Sequence, residues 1–136
     1  MIAVTQPFDT MRLPADRDAV APDGSDVRVL LRLGGGSMAH FELAAGRTSR
    51  AVAHQSVDEI WFVLSGRGQM WRHQAAREET VPLEPGTCLS IPVGTRFQFR
   101  AAAGGPLAVV GVTMPPWPGE GEAREVPGAW PAGEPP

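Results

Sequence analysis

The fold of this protein is decided by two stretches of its sequence, GRTSRAVAHQSVDEIWFVLSG at residues 46–66 and GTCLSIPVGTRF at residues 86–97. Both contain short runs of apolar, β-forming residues bounded by glycine or proline. This pattern is typical of strands closed by tight turns. The first stretch also carries the titratable side chains of His54 and Glu59, five positions apart. The two stretches therefore hold both the fold signal and the candidate chemistry.

Similar β-rich runs recur on either side of these stretches, and each ends at turn residues. We find no window with sustained helical periodicity and no internal repeat. Short strands at this spacing predict an all-β, antiparallel sandwich or barrel. The predicted strands are Val27–Leu33, Ser37–Leu43, Glu59–Leu64, Gln69–His73, Glu79–Leu83, Thr87–Ile91, Arg96–Arg100 and Leu107–Met114.

The two ends of the chain differ in composition from this central part, 27–114. Residues 1–26 are largely polar and predict an irregular N-terminal arm or a peripheral strand. Residues 115–136 hold seven Pro, four Gly and two Trp. Such composition is typical of a disordered tail. Because Trp117 and Trp130 are large apolar anchors, however, we expect this C-terminal tail to pack on its own barrel or on a partner subunit.

Composition limits the classes of partner. The chain has 136 residues, is 43% hydrophobic and has a net charge of −3, which suits one domain with a real core. Because the net charge is negative and no apolar run is long enough to cross a membrane, we expect neither a nucleic-acid nor a membrane partner. Cys88 is the single cysteine and lies in a β-like run, so we expect a buried, inert thiol and a cytoplasmic location.

The glycine and proline frame of the two stretches resembles the paired signature of the cupin superfamily. The first signature there is Gly, five residues, His-x-His, three or four residues, Glu, six residues and Gly. The second is Gly, five residues, Pro-x-Gly, two residues and His. The residues of this chain that match the frame are Gly46, Glu59, Gly66, Gly86, Pro92 and Gly94.

In cupins the three His and the Glu of these signatures hold one metal ion inside a small β-barrel. In this chain, His54 matches the second His, whereas Val52 and Phe97 occupy the positions of the other two. Reading His54-Gln55-Ser56 as the His-x-His leaves only two residues before Glu59, which is shorter than the pattern. Either way, two of the four ligands remain. The resemblance implies a double-stranded β-helix (jelly roll), barrels paired as a homodimer, and a degenerate metal site.

The strand periodicity, in the register of the resemblance, predicts the inside of the barrel. In an extended chain alternate residues share a face, so Val52, His54 and Ser56 form one row. Glu59 and Trp61 begin a second row, and Phe97 and Phe99 form a third. We therefore predict an aromatic-walled pocket with one imidazole and one carboxylate. Its predicted residues are Val52, His54, Ser56, Glu59, Trp61, Phe97 and Phe99.

Three interpretations of the His54–Glu59 pair stay open. The pair could bind a divalent transition metal weakly, since zinc sites normally use at least three protein ligands; Gln69 or His73 would have to join. It could be a structural polar pair. It could also serve a metal-free functional pocket, where a desolvated carboxylate and imidazole suit general acid–base catalysis.

The predicted function is a small-molecule-binding protein, or a metal-independent acid–base enzyme of the isomerase or cyclase type, that acts on a small, partly apolar organic molecule without a cofactor. The alternatives are a metal-dependent cupin oxygenase or isomerase with substitute ligands, and a non-enzymatic structural or regulatory barrel. The remaining histidines, His40 and His73, are expected to face solvent or, for His40, a subunit boundary.

Overall fold

A computed structural model describes residues 6–133, which form two antiparallel sheets and no helix. The predicted all-β, jelly-roll fold is confirmed. The strands are β1 (Ala19–Val20), β2 (Asp26–Leu33), β3 (Gly36–Leu43), β4 (Val52–His54), β5 (Asp58–Ser65), β6 (Gly68–Gln74), β7 (Arg77–Leu83), β8 (Cys88–Ile91), β9 (Arg96–Ala101), β10 (Leu107–Met114) and β11 (Ala123–Glu125). Within residues 6–133 there is no long apolar helix that could cross a membrane.

The strands pair out of sequence order, as a jelly roll requires. One sheet has the order β1-β2-β3-β10-β5-β8 and the other has the order β11-β4-β9-β6-β7. All eight strands predicted from the sequence occur, with ends within two residues of the prediction. Of the three further strands, β1 falls in the segment where a peripheral strand was one alternative, whereas β4 and β11 were missed; all three are only two or three residues long. Such short strands have no room to show an alternating pattern.

The core lies between the two sheets and follows the alternation of each strand. Strand β5 shows this most clearly, because Trp61 and Val63 are buried whereas Ile60, Phe62 and Leu64 are 44–45% exposed. Burying a large apolar side chain contributes about 1.5–3 kcal/mol. Trp61 and Val63 therefore stabilise the barrel interior, whereas Ile60, Phe62 and Leu64 form an exposed apolar strip on the outer face.

The terminal segments of the described residues, 6–133, pack on the barrel at both ends. The Arg28 guanidinium donates to the carbonyls of Pro14 and Ala15, each at 2.9 Å, and so holds the N-terminal segment against β2. The tail adds β11 beside β4, and the Trp130 ring lies 4.1 Å from the Arg100 guanidinium carbon. Of the two places predicted for the tail, its own barrel or a partner subunit, residues 115–133 make these contacts with the barrel, and residues 134–136 lie outside the described part.

Three side chains correct the predictions made for them. His40 is only 4% exposed, and it lies opposite Arg28 of β2 on one side and Val110 of β10 on the other. His73 is half-buried beside the Trp71 ring. Cys88 is exposed, since β8 turns Leu89 and Ile91 inward and leaves the thiol on the outer face.

Candidate functional site

Two strands from different sheets bring the candidate pair together. Strand β4 runs antiparallel to β9, which places Val52 opposite Phe97, and the Gly94 N–H donates to the His54 carbonyl at 3.0 Å. Strand β5 belongs to the opposite sheet and turns Glu59 inward. The His54–Glu59 contact therefore joins the two sheets inside the barrel.

The pair is buried, and three of the polar atoms around it lack hydrogen bonds. His54 Nδ1 lies 3.2 Å from Glu59 Oε2, and the two side chains are 6% and 3% exposed. The atoms are close but not aligned for a hydrogen bond, and neither they nor Trp61 Nε1 have a partner among residues 6–133. A buried polar group without a partner costs about 1–3 kcal/mol. A purely structural pair would leave this cost uncompensated.

Burial moves the two pKa values in opposite directions. Desolvation raises the pKa of Glu59 to about 8; the nearby Trp61 N–H opposes this shift and the negative charge of Asp23 adds to it. Desolvation also lowers the pKa of His54, against the weaker attraction of the Glu122 carboxylate. At neutral pH the site therefore holds a protonated carboxyl beside a neutral imidazole. A proton donor and a proton acceptor in contact are suited to general acid–base chemistry.

Aromatic rings surround the pair. The Trp61 ring meets Phe97 and Phe99 edge-on, with centroids 5.9 Å and 5.0 Å away, and stacks on Phe41 at 5.5 Å. The His54 ring meets Phe97 and Trp117 edge-on, both at 5.2 Å. Phe41 and Trp117 were not among the predicted site residues. The alternation of β3 could have identified Phe41, whereas a contact made by the tail leaves no local signal.

Ser56 is the predicted pocket residue that lies elsewhere. Strand β4 ends at His54, so the alternation that placed Ser56 on the inner face stops before it. Its side chain is exposed, and its hydroxyl donates to Glu122 Oε2 at 2.7 Å. The other six predicted residues come together inside the barrel, where Val52 is 2% exposed and belongs to the core.

Gly111 is a further site residue that the sequence analysis missed. It lies opposite Trp61 on β10, and a Cβ there would stand 2.9 Å from Phe41 Cε2, 3.0 Å from Trp61 Cδ1 and 3.1 Å from Glu59 Oε1. Only glycine leaves room for the three side chains. Glycine inside a strand often marks such a close approach, and this was the available signal.

The donors around the pair do not fit the metal centre that the cupin signature implies. Val52 and Phe97 have no donor atoms, and within the described chain no three His, Cys, Asp or Glu side chains are grouped so as to hold an ion. The proposed substitutes are engaged elsewhere: Gln69 accepts hydrogen bonds from Arg100, and His73 lies beside Trp71. Two protein ligands fall short of the three that catalytic zinc sites use.

Comparison with known proteins agrees with the geometry. The family model described as "Cupin domain" matches residues 39–113. A search of the curated proteins returned no match. The similar solved structures include KdgF from Halomonas sp., with 19% identity, a TM-score of 0.63, and 74% of this chain and 87% of that chain covered.

Two further structures are similar over more of the chain. A cupin protein from Bacteroides fragilis is 22% identical, with a TM-score of 0.63 over 80% of this chain and 85% of that one. A variant of PAC13 from Streptomyces, solved with uridine, is 16% identical, with a TM-score of 0.66 over 88% of this chain and 92% of that one. At these identities the structures show a shared fold. The family match spans more than half of the chain and includes both glycine–proline signatures, so the protein belongs to the cupin family.

Proposed function

We propose that this protein binds a small, partly apolar organic molecule inside its barrel and acts on it by metal-independent acid–base chemistry, of the isomerase or cyclase type. The observation that carries the proposal is the group of three buried polar atoms without partners, His54 Nδ1, Glu59 Oε2 and Trp61 Nε1, against an aromatic wall. A ligand with its own donors and acceptors would satisfy these atoms. The PAC13 structures with uridine lend support, since they show a cupin of this fold holding a small molecule.

The roles of the residues follow from their protonation. Glu59, in its acid form, would donate a proton to the ligand, and the neutral His54 would accept one. Trp61, Phe97 and Phe99 would hold the apolar part of the ligand, and the Trp61 N–H would donate to a polar atom. Trp117 covers one side of His54, so the ligand would reach the pair beside this ring or by displacing it.

Binding can be tested before the reaction is known. We expect metal-free protein to be stabilised by members of a library of nucleosides, sugar acids and small aromatic compounds, measured as ligand-induced shifts in melting temperature. Replacing Glu59 with Gln and His54 with Asn should remove the shift, whereas Glu84→Gln, at an exposed carboxylate, should keep it. Equal shifts in all variants would place binding outside the barrel. No shift across the library would favour a structural or regulatory barrel.

We further propose that the His54–Glu59 pair holds a metal ion only weakly. Protein purified without added metal is expected to contain well under one equivalent of transition metal, because the pair supplies two ligands. Phe97→His should raise affinity for Co²⁺ or Zn²⁺ by adding a third ligand at the signature position; Phe99→His, two residues along the same strand, is the matched control. Near-stoichiometric metal that survives dialysis, found by elemental analysis, would instead support a metal-dependent oxygenase or isomerase.

The homodimer is a proposal supported by the outer face of the six-stranded sheet. Ile60, Phe62 and Leu64 of β5 are each 44–45% exposed, and Met38 of β3 is 40% exposed on the same sheet. A contiguous apolar strip of this kind often marks a protein interface, and a second copy of the chain is the partner we propose. Phe62→Lys should then lower the molar mass measured by light scattering, and Val93→Lys should not.

The lone, exposed Cys88 is compatible with the predicted cytoplasmic location.

A further inference from the structure

A polar cleft of about 90 Å³ opens at the end of the barrel. Its walls include Arg72 of β6, Arg77 and Glu79 of β7, and Thr95 just before β9. None of these residues is used by the site described above. The cleft is nevertheless adjacent to that site, because Arg72 lies directly opposite Phe97 on the neighbouring strand, and the Phe97 ring contacts His54.

The cleft carries one net positive charge. Arg77 Nη2 lies 3.0 Å from Glu79 Oε2, and Arg72 Nη2 lies 3.7 Å from Glu79 Oε1. Two guanidinium groups thus face one carboxylate. The Arg72 side chain is only 22% exposed and is anchored by a 2.9 Å hydrogen bond from Nη1 to the Ser90 carbonyl. Its position is therefore set by the barrel, and its Nη2 is the less firmly engaged donor.

Thr95 provides an independent sign that a ligand belongs there. The residue is 2% exposed, and its Oγ1 has no hydrogen-bond partner in the part of the chain that the structure describes. Thr95 lies just before β9, two residues ahead of Phe97, and is among the residues that line the cleft. A buried hydroxyl without a partner is costly, and an acceptor placed in the cleft would remove that cost.

We propose that this cleft binds the carboxylate group of the small organic ligand, with the apolar part of the ligand directed towards Phe97. This rests on the proposed function and specifies its substrate class as an organic monoanion. One net positive charge matches one carboxylate better than a doubly charged phosphate. Arg72 Nη2 and the Thr95 hydroxyl supply one donor for each of the two carboxylate oxygens. The volume suits such a head group, since a water molecule takes roughly 30 Å³ of liquid.

The test compares benzoate with benzamide, which has the same ring without the charge, by NMR titration of the full chain. We expect benzoate to shift the backbone amide signals of Gln74 and Thr95 saturably and benzamide to leave them nearly unchanged. Inorganic phosphate should bind more weakly than benzoate. Equal effects of benzoate and benzamide, or tighter binding of phosphate, would overturn the proposal.

Variants separate the cleft from the acid–base pair. Arg72→Gln should weaken benzoate binding by about tenfold, as expected for the loss of a charge-assisted contact. Arg67→Gln, at an exposed arginine that also pairs with a glutamate, should leave it unchanged. Glu79→Gln should tighten binding several-fold, a gain that damage to the fold would not produce.

Benzoate that shifts the His54 ring signals but not Gln74 and Thr95, with no effect of Arg72→Gln, would reject the cleft and leave the proposed function standing. Benzoate bound at the cleft with no small molecule affecting His54 would support the cleft and count against the acid–base site.

Discussion

Truncation of the chain after Met114 is expected to lower the melting temperature by about 10 °C or more, since one kcal/mol corresponds to roughly 2–8 °C in domains of this size range. The tail is tied to the buried Gln98, whose amide oxygen accepts the N–H groups of Ala129 and Trp130 at 2.9 and 3.0 Å. The Gln98 Nε2 donates to the Trp130 carbonyl at 2.8 Å. Truncation would remove these three bonds together with the β4–β11 pairing. Calorimetry of both forms measures the effect.

A single carboxylate within the tail provides a sharper version of this test. Glu122 accepts hydrogen bonds from the Ser56 N–H, the Ser56 hydroxyl and the Val57 N–H at 2.7–2.9 Å. Desolvation raises the pKa of Glu122, but these hydrogen bonds outweigh it and lower the pKa overall. Glu122→Gln should therefore destabilise the protein measurably, whereas Glu120→Gln, at an exposed position two residues away, should not. Equal melting temperatures for the two variants would show that the tail contact contributes little.

The second large effect is expected in the pH dependence of stability. Burial raises the pKa of Glu59 from 4.5 to about 8, so the folded state keeps a proton that the unfolded state releases. Stability is then highest below the unfolded value and falls as pH rises towards 8, by at most about 1.4 kcal/mol per pH unit. Between pH 6.5 and 8 the loss should reach about 2 kcal/mol, which denaturant titration can measure.

The histidine contributes with the opposite sign in a different range. Burial lowers the pKa of His54 below 6.5, so its contribution is complete above pH 6.5 and is lost as pH falls below that value. Between pH 6.5 and 8 the change in stability therefore comes from buried carboxyl groups and not from His54. Glu59→Gln should flatten most of the slope there and be more stable than the unmutated protein at pH 8. Burial also raises the pKa of Asp23 above 3.8, so the stability that Asp23 contributes starts to fall at a lower pH than that of Glu59.

The control for this prediction is Glu84→Gln. Glu84 is an exposed carboxylate paired with Arg67 at 2.8 Å, so the charge change matches Glu59→Gln without the burial. The slope above pH 6.5 should stay as in the unmutated protein. An unchanged slope in Glu59→Gln would mean that Glu59 is ionised in the folded protein, and the proposed role as a proton donor would lose its basis.

The sequence by itself determined the strands of the barrel and most of its inward side chains. Alternation along β5 separates Trp61 from Phe62 without any knowledge of the fold, because successive side chains in a strand point to opposite faces. The spacing of glycine and proline around residues 46–66 and 86–97 identified the family frame. The resemblance of that frame to the cupin signatures implies that Val52 and Phe97 stand at metal-ligand positions.

Only the tertiary structure decided which side chains complete the site and which protonation state His54 and Glu59 adopt. Ser56 does not lie in the predicted row, because β4 ends at His54. A three-residue strand is too short to show a periodic pattern in the sequence. Trp117, Gly111 and the Arg72 cleft reach the site through strands or a tail distant in sequence, and local pattern cannot report such contacts. The opposite pKa shifts of His54 and Glu59 arise from burial in a low-dielectric interior, which exists only once the two sheets have closed over the pair.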